Sequence, residues 1–213
     1  KIPRLYPKET GSGKTTLLNC IATMTTPSSG RIILHGQDLS KFHGTQLSDY
    51  RGREIGYLFQ EFELLDNMTA RENIVLPLSL HGMTEGEAEH KIQEIASKLE
   101  ITDVLDKFPS QMSGGQKQRT AAARALISNP DLVLADEPTG ALDSRNSKTL
   151  MDKLAEFNWD LDKTIMMVTH DANAASYCSR ILFIQDGKLF HELRRNTQTE
   201  STEDFYGRIV TVM

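Results

Sequence analysis

Residues 132–135 and 164–169 are continuous apolar runs, Leu132-Val133-Leu134-Ala135 before Asp136-Glu137 and Thr164-Ile165-Met166-Met167-Val168-Thr169 before His170-Asp171. A strand with one face in water alternates apolar and polar residues. A short run without alternation is that of a strand buried on both faces, as in a parallel sheet covered by helices. Helical stretches precede both runs. Over 85–100, Ala88, Ile92, Ile95, Ala96 and Leu99 recur at spacings of three and four, which predicts an amphipathic helix. Residues 30–36 and 54–59 read as further strands. Asp186-Gly187 between the apolar halves of 181–190 predicts a β-hairpin. After Arg195 the chain turns polar, so 196–213 is expected to be a mobile tail. Strands alternating with helices predict an α/β fold with a mainly parallel sheet, whose ligands bind at the carboxyl ends of the strands.

The 213 residues are read as one domain, 1–213. A net charge of −5 provides no basic face, so no nucleic-acid partner is expected. Cys20 and Cys178 are the only cysteines, far apart and without metal-ligand spacing, which points away from disulfides and zinc and toward a reduced cytosolic compartment. The chain has no apolar run of about 18 residues and no secretory signal pattern, so a membrane role is expected to come through a partner.

Three segments carry phosphate and metal chemistry. Gly11-Ser12-Gly13-Lys14-Thr15-Thr16, followed by Leu17-Leu18, has the core pattern of a phosphate-binding loop opening a helix. Glycines let backbone N–H groups close around phosphates, Lys14 reaches the β and γ phosphates, and the Thr15 hydroxyl suits Mg²⁺. The pattern's first glycine falls at position 8, where this chain has Lys8. The run Asp131-Leu132-Val133-Leu134-Ala135-Asp136-Glu137 is an apolar strand ending in two carboxylates. Asp136 is placed to hold Mg²⁺ and Glu137 to orient the attacking water. Met112-Ser113-Gly114-Gly115-Gln116 opens a second helix and supplies a second anion-binding N-terminus. Alone, these segments also read as a flexible turn, a solvated loop and a helix cap.

Together they resemble the ABC ATPase family, whose signature loop Ser113-Gly114-Gly115-Gln116 matches, with Met112 in place of a leading leucine. Gln60 after Tyr57-Leu58-Phe59 is similar to the Q-loop glutamine, Gly140-Ala141-Leu142-Asp143 to the D-loop that crosses the dimer interface, and His170 to the switch histidine. Each has a plainer reading: a surface glutamine, an N-cap aspartate, a strand-end histidine. The resemblance implies the P-loop NTPase ABC ATPase fold with a helical subdomain over about 61–109. It implies ATP and Mg²⁺ as ligands, with Thr15, Gln60 and Asp136 at the metal and Glu137, His170 and Gln60 catalytic. It also implies a head-to-tail dimer of two copies, in which the signature loop of one closes over the γ-phosphate held by the other. The stretch from Glu61 to Ile74 would face a membrane permease; Phe62, Leu64 and Leu65 either fill that interface or pack in the core.

Within the family, Ala135-Asp136-Glu137-Pro138-Thr139-Gly140-Ala141-Leu142-Asp143 resembles the lipoprotein-release and macrolide-efflux branch. Asn73-Ile74-Val75-Leu76-Pro77-Leu78-Ser79 and Met167-Val168-Thr169-His170-Asp171 are similar to the bacitracin and lantibiotic resistance transporters of Gram-positive bacteria. That likeness implies an ATPase on the cytoplasmic face of the plasma membrane, two copies under one permease, peptide-antibiotic resistance and signalling to a sensor histidine kinase. Lipoprotein release, macrolide efflux and activation of cell-wall enzymes are the related alternatives. A soluble ABC-type ATPase is the more distant one; neither coiled-coil insertions nor a second cassette is present. The family also carries a strand-rich stretch and an adenine-stacking aromatic residue before its phosphate loop. Residues 1–10, with Tyr6 a poor substitute, are expected to be what remains of a longer N-terminus.

Overall fold

The computed structural model describes residues 13–160 and 163–213. In chain order they form α1 (Lys14–Ile21), β1 (Ile33–Leu34), β2 (Gln37–Asp38), α2 (Thr45–Asp49) and β3 (Ile55–Leu58). There follow α3 (Ala70–Ser79), α4 (Glu85–Lys98), α5 (Gly114–Leu126), β4 (Leu132–Asp136) and α6 (Ser144–Asp160). The order ends with β5 (Thr164–Val168), α7 (Ala172–Ser176), β6 (Arg180–Gln185), β7 (Lys188–Arg194) and α8 (Thr202–Val212).

The central sheet is parallel, in the order β3-β4-β5. Its middle strand explains the unbroken apolar run. Val133 and Ala135 of β4 join a core cluster with Ile92 of α4, Leu99 just after it, Ala122 of α5 and Leu150 of α6. Leu134 between them joins a second cluster with Leu18 of α1, Tyr50, Ile55 and Val168. Successive side chains on a strand point to opposite faces, and here both faces are dry.

The predicted amphipathic helix is α4, and Ala88, Ile92, Ile95, Ala96 and Leu99 form its buried face. Thr69 and Thr84 start α3 and α4 with capping boxes, each accepting a hydrogen bond from the N3 amide while Glu72 or Glu87 reaches back. Both helices lie within 61–109, and α3 packs on α5. Phe62 and Leu64 are half-buried against the main cluster, whereas Leu65 is exposed.

Two expectations need correction. The predicted strand over 30–36 is a tight antiparallel hairpin of β1 and β2. His35 and Gly36, at φ 48° and 77°, turn the chain between them as a two-residue loop requires. Nor is 196–213 a loose tail. Ser201 caps α8, and Phe205 and Ile209 are buried with Leu193 of β7. Positions 205, 209 and 212 share one helix face, a stripe diluted by the polar residues around it. The hairpin predicted at Asp186-Gly187 is β6-β7, with both turn residues at positive φ. Among the described residues no helix is long and apolar enough to cross a membrane.

Candidate active site

The parallel register sets the carboxyl ends of the strands side by side, pairing Leu58 with Ala135 and Asp136 with Val168. Whatever follows each strand therefore shares one edge of the sheet. Gln60 follows β3, Asp136 ends β4 with Glu137 after it, and His170 follows β5. The first turn of α1 reaches the same edge, where the Thr15 hydroxyl donates to Asp136 Oδ1 at 3.1 Å. Gly13 caps this helix at φ 82°, a left-handed conformation that a side chain would strain. Lys14 and Thr16 lie in the same turn. Gly11 and Ser12, together with Tyr6, Lys8 and the expectation for residues 1–10, lie outside the described residues.

Burial pushes the Asp136 carboxyl above its ordinary pKa range; the Thr15 hydrogen bond works against that rise and the adjacent Glu137 charge adds to it. A carboxylate beside a hydroxyl, partly stripped of water and raised further in pKa by the charge of a neighbouring carboxylate, makes a hard-oxygen donor pair whose charge a divalent cation would relieve. Thr15 and Asp136 thus fit Mg²⁺.

Glu137 stands in a left-handed conformation, φ 48°, which costs a non-glycine residue about 1–3 kcal/mol. Two backbone bonds hold it there: its N–H donates to Val168 O at 2.8 Å, and its carbonyl accepts from Gly140 N at 2.9 Å. Its carboxylate Oε1 is 2.8 Å from His170 Nδ1, with Glu137 17% exposed and the His170 ring 74%. Gln60 packs on the following loop: a Cβ on Gly140 would stand 3.2 Å from Gln60 Nε2. An open groove of about 790 Å³ starts at Glu137 and His170 and runs past Leu142 and Lys148 to Tyr206.

The Ser113 segment forms a separate end of the site. Ser113 caps α5, accepting from Gln116 N at 3.3 Å, while its own N–H donates to Gln116 Oε1 at 3.0 Å. Gly114 is open to solvent, but a Cβ on Gly115 would overlap the Asn146 amide. Asn146 donates through N and Nδ2 to the two Asp143 carboxylate oxygens, each at 2.8 Å, and those bonds hold the Asp143 carboxyl below its ordinary range. Asn146 thus joins Asp143 to Gly115.

Three residues were not singled out in the sequence: Asn146, Arg124 and Gln118. Gln118 is fully buried in α5 and donates to Pro138 O at 2.7 Å. The signal was present, since 118, 121, 122 and 125 lie on one helix face and the other three are alanines.

Residues 9–140 match the family model described as ABC transporter. This chain belongs to the ABC transporter family. Relatives match this ABC cassette over most of its length, two of them as follows. The uncharacterized ABC transporter ATP-binding protein YvcR of Bacillus subtilis is 48% identical over 89% of this chain and 73% of its own. The bacitracin export ATP-binding protein BceA of Halalkalibacterium halodurans is 45% identical over 90% and 76%. A bacterial ABC transporter cassette solved as a dimer superimposes with a TM-score of 0.80 at 37% identity, covering 86% of this chain and 81% of that one. The fold is that of the ABC ATPases, ATP is the nucleotide, and ATP hydrolysis coupled to transport is the activity.

Proposed function

We propose that this cassette powers a membrane permease that removes cell-wall-targeting peptide antibiotics of the bacitracin and lantibiotic type from the membrane or from their lipid-linked target. It works at the cytoplasmic face of the bacterial plasma membrane, two copies to a permease, and the complex reports to a sensor histidine kinase. The likeness to the bacitracin export protein supports the substrate class. The observation that carries the mechanism is the meeting of Thr15 with Asp136, and of Glu137 with His170, at one sheet edge.

In this reading Gly11, Ser12, Gly13, Lys14 and Thr16 surround the phosphates, and Lys14 offsets their charge. Thr15, Asp136 and Gln60 would hold Mg²⁺, which would offset negative charge on the phosphates. Glu137 accepts a hydrogen bond from the attacking water and aligns it for in-line approach. His170 donates toward the γ-phosphate oxygens as their charge grows, its ring steered by Glu137. The second copy closes head-to-tail, bringing its Ser113, Gly114, Gly115 and Gln116 over the γ-phosphate, with Asp143 at the interface. Residues 61–109 serve as the helical subdomain that meets the permease.

ATPase turnover tests this, measured with and without the neighbouring permease in nanodiscs and then with bacitracin or a lantibiotic. Permease-dependent turnover that responds to the peptide is the expected result. Turnover that responds to a macrolide or a lipoprotein instead overturns the substrate class, and turnover indifferent to the permease overturns the coupling.

A further inference from the structure

Helix α5 does more than present Ser113-Gly114-Gly115 at its N-terminus. Near its other end, Arg124 donates through Nη2 to Phe62 O at 2.9 Å and through Nη1 to Glu63 O. Phe62 and Glu63 both adopt left-handed backbone conformations, φ 64° and 49°, and Glu63 N also donates to Glu61 O at 2.6 Å. Two consecutive non-glycine residues at positive φ do not persist unless something outside the turn holds them. The planar guanidinium fork is that holder, since it offers parallel donors to adjacent carbonyls in a way an ammonium does not. Arg124 is half-buried, and burial lowers the pKa of its guanidinium, the nearby Glu63 charge acting the other way.

Gln118, one and a half turns earlier on the same helix, grips the other side of Gln60. Its Nε2 lies 3.5 Å from Phe59 O and 2.7 Å from Pro138 O, and its Oε1 is buried without a protein partner among the described residues. Between these two side chains Gln60 is fixed on both flanks by one helix. The strand before it is fixed too, because a Cβ on Gly56 of β3 would overlap the Ala125 backbone carbonyl of α5.

We infer that Arg124 is a positioning residue for Gln60: by clamping the carbonyls of Phe62 and Glu63 to helix α5, it makes the placement of Gln60 depend on the placement of the helix that carries Ser113-Gly114-Gly115. This rests on the proposed contact of Gln60 with the metal and the lytic water. The clamp also ties the segment after Gln60, read as the permease-facing one, to the helix that meets the partner copy's nucleotide.

A double-mutant cycle of Arg124→Lys and Gln60→Ala tests the inference, read as kcat and as the Mg²⁺ concentration for half-maximal ATPase in the full chain. Arg124→Lys keeps the charge but loses the fork. The expected result is that each single variant lowers kcat about tenfold and raises the Mg²⁺ requirement, with KM for ATP little changed. The double variant should then be no worse than Gln60→Ala alone, since both remove one function. Effects that multiply in the double variant overturn the positioning role while leaving Gln60 in place. A normal Mg²⁺ dependence in Gln60→Ala overturns the reading of Gln60 and the inference with it. Thermal unfolding of Arg124→Lys separates a general packing loss: a lowered midpoint with an unshifted Mg²⁺ requirement also overturns the inference.

Discussion

His170 Nδ1 lies 2.8 Å from Glu137 Oε1, so the ring after one strand is held by the carboxylate after its neighbour. Because β4 and β5 pair in register at Asp136 and Val168, this contact comes directly from sheet geometry. Glu137→Gln keeps the shape and removes the charged acceptor. Hydrolysis is expected to fall by about 100-fold or more, with ATP trapped in a closed dimer. Single-turnover kinetics and size-exclusion chromatography with ATP check this, and ordinary turnover would remove Glu137 from its role.

Lys14→Ala is expected to act on binding. Loss of a charge-assisted phosphate contact costs about 1.5–3 kcal/mol, or roughly 10- to 100-fold in Kd. Titration with a fluorescent ATP analogue measures it, and an unchanged Kd would place the phosphates elsewhere.

Gly115→Ala should weaken ATP-dependent dimerisation, because the added Cβ runs into the Asn146 amide that also holds Asp143. Combining it with Asn146→Ala removes the obstacle and should restore part of the loss. If the pair proves no better than Gly115→Ala alone, the glycine serves some need other than this close approach.

Acid should loosen the helices of 61–109 through their caps. Glu72 and Glu87 have pKa values held below the ordinary 4.5, Glu72 by its bonds from the Thr69 N–H and then the hydroxyl, Glu87 by those from the Thr84 hydroxyl and then the N–H. A carboxyl whose folded pKa is depressed contributes stability above the unfolded value and loses it as pH falls through the folded one. Thr84→Ala is expected to cost about 1 kcal/mol at neutral pH. Urea unfolding across the acid range should show a shallower pH dependence in Thr69→Ala/Thr84→Ala than in the parent; equal slopes would dismiss the caps as the source.

Phe205→Ala tests whether α8 is an integral element. The ring is fully buried against α7 and β7, and its removal should cost about 3–5 kcal/mol if the helix belongs to the cooperative core. A variant unfolding at the parent's midpoint would show that α8 detaches separately.

The sequence by itself determined the elements and the chemistry at their ends. The continuous apolar run at 132–135 required a strand dry on both faces, the run at 164–169 made a strand whose Ile165, Met166 and Met167 stay half-buried, and a three-four spacing required α4, because burial patterns follow the periods of strand and helix. Gly13 through Thr16 and Asp136-Glu137 were legible because phosphate and metal chemistry demands particular side chains next to particular backbone turns. Only the tertiary structure decided which distant residues meet. The 3.1 Å bond of Thr15 to Asp136 spans 121 positions of sequence and depends on the packing of α1 against β4 and β5. Arg124 was silent as a letter in a helical run, and Gln118 stood out only as a polar residue on an alanine face; their bonds to backbone carbonyls carry no side-chain signature, since any residue offers a carbonyl. The burial of α8 was hidden for a related reason: its apolar stripe is short, and a surface to receive it exists only once β7 and α7 are assembled.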